Sequence, residues 1–373
     1  MSELRLNFDD PGLQTGLDVG SIAVDYVQQL IINRKRVFEN AVKSNDFKTA
    51  VFNQLNAYND ASNQAAAQAF RELTKAINED LKYTYDKGIS SVDAVIKSTT
   101  KQRLEPQTQS QKSVLKSMLS MTLGAALSAI TQAKTEGFNQ LLGITAQVDT
   151  SKDIHQEIDR VQGVYISKGI QVASGTTVKE LSAFMEFTER NNSQQLLRQA
   201  KGERSAQYGM HYIQISAHPS SCPLCVPWQL KVLIDDLWSD GKPDGKTPLA
   251  SEAVADGLWH FNCRHDSTVF IPGFDRTELQ KKEMASREET AKRYAVEQQQ
   301  RHNERNIRHW KLREAAAMTE RERQFASTKV KEWQSQQHVL RKIAKQEGVP
   351  FYRQYEREQI GGDTKPTIKG AIE

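Results

Sequence analysis

The chain has 373 residues, 38% hydrophobic, 8% aromatic and 26% charged, with a mean hydropathy of −0.63. That apolar share is low for a large compact enzyme, and a formal charge of +4 excludes a uniformly polybasic protein. With only 10 prolines and 20 glycines, the composition points to two or three domains built from long uninterrupted elements.

Residues 1–150 balance 16 basic side chains against 16 acidic ones and read as a helical region. The first ten residues lack a basic end followed by an apolar run, so no secretory leader is expected. Val24, Val27, Ile31, Phe38 and Val42 fall on one helical stripe. Residues 60–85, 90–104 and 107–142 continue the helical pattern, with Pro106 as a break. Residues 117–133 carry no charge. The run is short for a membrane span and rich in Ser, Thr and Gln, so a buried helix packing through Gly124, Ala125, Ala129 and Ala133 is expected. No Gly-rich phosphate loop and no nucleophile elbow occurs before residue 210.

The second region, residues 151–275, carries 12 basic and 15 acidic residues. It opens with two predicted helices, 153–170 and 176–199, the second started by a capping box at Thr177 and Glu180. An α+β module should follow. Alternation predicts strands near 212–216 and 267–272, with a short strand in 228–234. Residues 240–245 form a turn cluster, and 248–257 read as a short helix stopped by Gly257.

All three cysteines fall inside this module, in His218-x3-Cys222-Pro223-Leu224-Cys225 and His260-Phe261-Asn262-Cys263-Arg264-His265. Two thiols three positions apart reach one ion from a single turn, and a His and Cys at the same spacing close the tetrahedron. The simplest set is Cys222, Cys225, His260 and Cys263, a structural Cys3His zinc site. His218 and His265 are spare imidazoles able to take one of these places. Three plainer readings compete: buried hydrophobic cysteines, a Cys222–Cys225 disulfide, or a redox pair. The disulfide would leave Cys263 odd, and Pro223 and Pro227 make the turn unlike a redox motif opening a helix.

Residues 276–347 hold neither proline nor glycine, apart from their flanks, and residues 276–373 carry 22 basic against 15 acidic side chains. One basic helix is expected over 276–347, about 100 Å long if continuous. Its apolar residues, among them Ile307, Trp310, Val330, Trp333 and Leu340, form one thin edge. Such a helix needs a partner, either a neighbouring subunit or the chain's own N-terminal helices. The basic excess suits a polyanion such as DNA, or simply a solvated helix with interleaved glutamates. Gly348 and Pro350 should end the helix, and residues 348–373 read as a mobile tail. The fold class is therefore mainly α with a small zinc-stabilised α+β module and long helices at both ends.

These motifs together resemble the phage minor capsid protein 2 family, within the wider group of phage head-morphogenesis proteins. The carriers are Ser216-Ala217-His218, the run Cys222 to Gln229, Ser251 to Leu258, His260 to His265, and the basic stretch Tyr294 to Lys311. The layout matches over roughly residues 15–350. Relatives commonly carry Gly after the Trp-Gln pair, where this chain has Leu230, and Pro in the second knuckle, where it has Phe261. The resemblance implies a non-enzymatic structural protein of a tailed-phage virion, assembled in the host cytoplasm and placed inside the head near the portal. Implied partners are portal and head proteins, with packaged DNA met through the basic helix. No membrane and no small-molecule substrate is implied. One alternative is a zinc-containing HNH-like nuclease or toxin using His260 and His265 with Asn262 or Asp266. A second is a non-specific DNA-binding protein.

Overall fold

The computed structural model describes residues 11–360 apart from 101, 176, 219–220, 262, 274–285, 352 and 354. The expectations for the first ten residues, Asn262, residues 276–285 and the tail from 361 onward lie outside the described residues. The N-terminal part is a bundle of α1 (Pro11–Ala41), α2 (Phe47–Phe52), α3 (Leu55–Thr99) and α4 (Gln109–Gln147). The predicted stripe on α1 is buried at Val24, Val27, Ile31 and Phe38. Val27 and Ile31 share a core with Leu73, Ile77 and Leu81, three fully buried residues at helical spacing on α3, while Phe38 belongs to a second core. Pro106 does sit in a break, and Thr108 and Gln111 form the capping box that starts α4.

α4 is the one helix among the described residues long and apolar enough to cross a membrane by length and composition, with 28% of its most apolar window buried. The expected close packing holds at Ala129 and Ala133, 1% and 0% exposed. It does not hold at Gly124, which is exposed with nothing within 4 Å of where a Cβ would stand. Thr122 on the buried face accepts a hydrogen bond from Asn192 at 2.8 Å, tying α4 to the next long helix.

After α5 (Ile154–Lys168) the sequence expectation fails locally. Thr177 and Glu180 do not open a helix. They begin and end strand β2 (Thr177–Glu180), which pairs antiparallel with β1 (Gln171–Ser174) around Gly175 at φ +56°. α6 (Leu181–Ala206) starts only then, with the Glu180 side chain as its cap. α6 packs into the same core as α1, α3 and α4 through Phe184, Met185, Leu196 and Ala200. The bundle core therefore continues well past residue 150. At its crossing with α3 the helices touch closely: a methyl added to Gly88 would lie 2.9 Å from the Ala200 Cβ.

The α+β module follows. β3 (Tyr212–Ile215), β4 (Val232–Ile234) and β5 (Ser267–Val269) make an antiparallel sheet in the order β4-β3-β5, with Ile213 opposite both Leu233 and Val269. α7 (Ala250–Ala255) packs its buried Ala250 and Ala253 into this module's separate small core.

Where the sequence predicts one basic helix, the chain forms two. α8 (Arg287–Ala316) and α9 (Glu320–Gln346) fold back on each other as a hairpin. The cause is a distant carboxylate. Asp159 on α5 accepts from Met318 N (2.7 Å), Thr319 N (2.9 Å) and the Thr319 hydroxyl (2.7 Å). Thr319 then caps α9 by accepting from Glu322 N at 3.1 Å. The thin apolar edge finds its partner within the chain. Val296 of α8 packs on Leu340 and Ala344 of α9, while α8 leans on α1 and α5.

Candidate metal centre

Two tight turns of the same kind face each other. In the first, Cys225 N and Val226 N both donate to the Cys222 carbonyl at 3.1 Å. A 3-10 turn with Pro227 (Val226–Trp228) continues it, so both sulfurs stand on one side. In the second, Cys263 N donates to the His260 carbonyl at 2.9 Å. The chain reaches that turn through two left-handed residues, Gly257 at φ +101° and Trp259 at φ +57°. A tryptophan at positive φ is strained backbone, and here it stands immediately before His260. Leu230 is also left-handed, at φ +61°. A leucine holds that conformation at a steric cost that glycine would not carry.

Cys222 Sγ and His260 Nε2 lie 2.9 Å apart, Cys225 Sγ and Cys263 Sγ 3.5 Å apart, and Cys263 Sγ and His265 Nδ1 3.4 Å apart. The donor atoms form two overlapping trios, Cys222/Cys225/His260 and Cys225/Cys263/His265, each within 4.8 Å. They share Cys225. Three of the four residues singled out from spacing, Cys222, Cys225 and His260, make one trio, while Cys263 stands with Cys225 and His265 in the other. His218 belongs to neither trio. Its ring stacks on His265 at 4.3 Å, and burial, then His265 and Arg264, push it down to about 3, so it is neutral.

The donor set suits a cation. His260 Nδ1 sits 2.6 Å from the Phe261 carbonyl, an arrangement that places the ring proton there and leaves the Nε2 lone pair facing Cys222. The two buried thiols cannot both ionise by themselves. The hydrogen bond from Cys225, with His265 adding to it, draws Cys263 down, while that bond and then burial drive Cys225 up. A metal ion between them removes this conflict by taking both as thiolates.

Several residues hold the cluster that spacing did not reveal. Ser221 stands 3.2 Å from His265 Nε2. Arg198 of α6 lies 4.9 Å over the Trp259 ring and donates to the His265 carbonyl at 3.4 Å. Lys201, one turn on, pairs with Asp266 and donates to the Ser267 carbonyl at 2.9 Å. Asp266 is thus turned toward α6 rather than toward the sulfurs. At Gly202 an added Cβ would sit 2.5 Å from that of Trp238, so α6 docks against the module at van der Waals distance. The sequence signal was weak: Arg198 and Lys201 are three apart on one helix face, a pattern that usually marks a solvated side.

Fold and site define a predominantly helical protein whose small β module is clipped by a Cys/His group able to hold a metal ion. The chain belongs to the phage minor capsid protein 2 family, whose model matches residues 23–342. It is accordingly a phage capsid protein of a structural family, and a virion component that meets other head proteins. A search of curated proteins and a search of solved structures each found no match.

Proposed function

We propose that the protein is a minor component of a tailed-phage head, seated inside the head at or near the portal, where it aids assembly or DNA delivery and performs no catalysis. The observation that carries this reading is the family match across residues 23–342. The metal ion is zinc, held by Cys222, Cys225, His260 and Cys263. Four protein ligands close a tetrahedron and leave no position for water, so the ion's contribution is to bind two turns that are far apart in sequence. His265 stays beside Cys263, its ring oriented by Ser221. The basic hairpin α8–α9 faces packaged DNA. A nuclease based on His260 and His265 lacks support from Asp266, which is engaged by Lys201.

Copurification with portal subunits from infected cells tests the location. Stable association is expected, and repeated absence from purified virions overturns the reading. Incubating the protein with supercoiled plasmid and Mg, Mn or Zn should leave the plasmid intact; nicking that is lost in His265→Ala would reinstate the nuclease.

A further inference from the structure

Arg301, Arg305 and Arg308 lie on one face of α8, because steps of four and three return to the same side of a helix. Like charges at these spacings repel one another. Across from them stand three more guanidinium groups: Arg190 from α6, Arg264 from the second knuckle, and Arg357 from a C-terminal 3-10 turn (Tyr355–Glu358). Carboxylates are fewer. Glu186 pairs with both Arg190 and Arg357, the latter at 3.1 Å through Nη1. Glu297 pairs with Arg264 at 2.6 Å and with Arg301 at 3.7 Å. Glu304 lies 3.9 Å from Arg357 Nε. Glu358 is engaged by both Nε and Nη2 of Arg353, at 2.7 and 2.5 Å.

Among the described residues, six arginines therefore share three carboxylates. One of these, Glu304, is raised to about 7 by burial and is only partly ionised at neutral pH. The repulsion is felt across the group. Burial, then Arg264, lowers Arg301 to about 10, and Arg305 is lowered by burial and then Arg308. Glu186 answers in the opposite sense: burial works to raise it, but Arg357, Arg190, Arg301 and Arg308 hold it down to about 2. Arg305 is exposed and Arg308 half-buried, and no ion pair joins either to a carboxylate among the described residues. The cluster thus runs from buried Arg190 and Arg357 outward to open guanidinium groups.

We propose that this arginine cluster is a docking site for the phosphodiester backbone of a nucleic acid. It deepens the DNA reading of the α8–α9 hairpin and rests on it. Guanidinium groups match phosphate oxygens in a two-pronged fashion, and a ligand phosphate supplies the negative charge that the protein withholds. A long polyanion fits better than an acidic peptide, since the basic excess extends through residues 276–373, where 22 basic side chains face 15 acidic ones.

The test is duplex-DNA binding by the full chain, followed by fluorescence anisotropy over a KCl series. Arg305→Ala/Arg308→Ala should weaken binding at least tenfold at low salt. It should also flatten the slope of log affinity against log salt by roughly two, the loss of two phosphate contacts. Arg305→Lys/Arg308→Lys, which keeps the charge, should retain most of the slope. Circular dichroism checks that both variants are folded. The double alanine variant binding like wild type would overturn the proposal. So would loss of binding in Lys342→Ala/Lys345→Ala alone, an outcome that leaves the hairpin's DNA reading standing. Failure of the wild-type chain to bind duplex while it binds polyglutamate sinks both.

Discussion

The N-terminal bundle and the Cys/His module solve the same problem by different means. The bundle buries whole stripes of Val, Leu and Ile along helices of 31 to 45 residues. Its stability is spread over many small contributions, each proportional to area removed from water. The module has three strands of three or four residues and a core of about ten side chains. So small a core leaves little margin over conformational entropy. It is held instead at a few points: two knuckles around shared sulfurs, Arg198 over Trp259, and Lys201 on Asp266. Distributed burial tolerates damage at one position. Point attachment does not.

The sharpest way to break this contrast is at the sulfurs. Cys222→Ser or Cys263→Ser should abolish metal retention and unfold residues 212–269, because structural zinc contributes about 10 kcal/mol or more in small modules. Amide exchange should rise throughout the module while the bundle stays protected. Unchanged exchange with unchanged metal content would remove the point-attachment argument.

Next in size is Leu73→Ala, a fully buried bundle residue. The expected cost is about 2–5 kcal/mol, read as a lower denaturant midpoint for the bundle with metal content intact. A matching loss of metal would mean the two regions are one cooperative unit.

The helical hairpin sharpens the comparison further through pH. Glu304 ionises at an ordinary 4.5 in the unfolded chain and at about 7 in the fold, chiefly because it is buried. The folded state therefore holds an extra proton between these values. That stabilisation is complete below pH 4.5 and is lost as pH rises through 7, on the order of 3 kcal/mol. Glu304→Gln should flatten the dependence and be more stable than wild type at pH 8. Equal slopes in urea melts at pH 5 and pH 8 would contradict this.

The smallest effect is expected from Asp159→Ala. It frees Met318 N, Thr319 N and Gln162 Nε2 from their acceptor. A loss of about 1–3 kcal/mol is expected, confined to the start of α9 and its seat on α5. Faster exchange at residues 318–323 checks it; uniform destabilisation would point to a wider role.

What could be read from the sequence follows the range of each interaction. Val24, Val27, Ile31 and Phe38 are legible because a helix repeats its buried face every three or four residues. The grouping of Cys222 with Cys225 is legible because two thiols three positions apart share one turn. Thr177 to Glu180 misled, since the same four residues serve as a cap or as a strand, and only pairing with Gln171–Ser174 decides. The break before Thr319 had a local sign, Thr319 followed three residues later by Glu322. Its enforcing partner, Asp159, is 160 residues away and invisible to any local pattern. The polar face of α6 was hidden for the same reason. Glu189, Arg198, Lys201 and Arg204 look solvated in sequence and are buried in the fold. Arg204 and Lys201 are matched by Asp93 and Asp266, far away along the chain.

Elemental analysis of the full chain, paired with amide exchange over residues 212–269, bears most directly on the shared-ion claim. One zinc per chain is expected, with both the zinc and the protection lost together in Cys263→Ser. A preparation free of transition metal in which those residues remain fully protected would contradict the account.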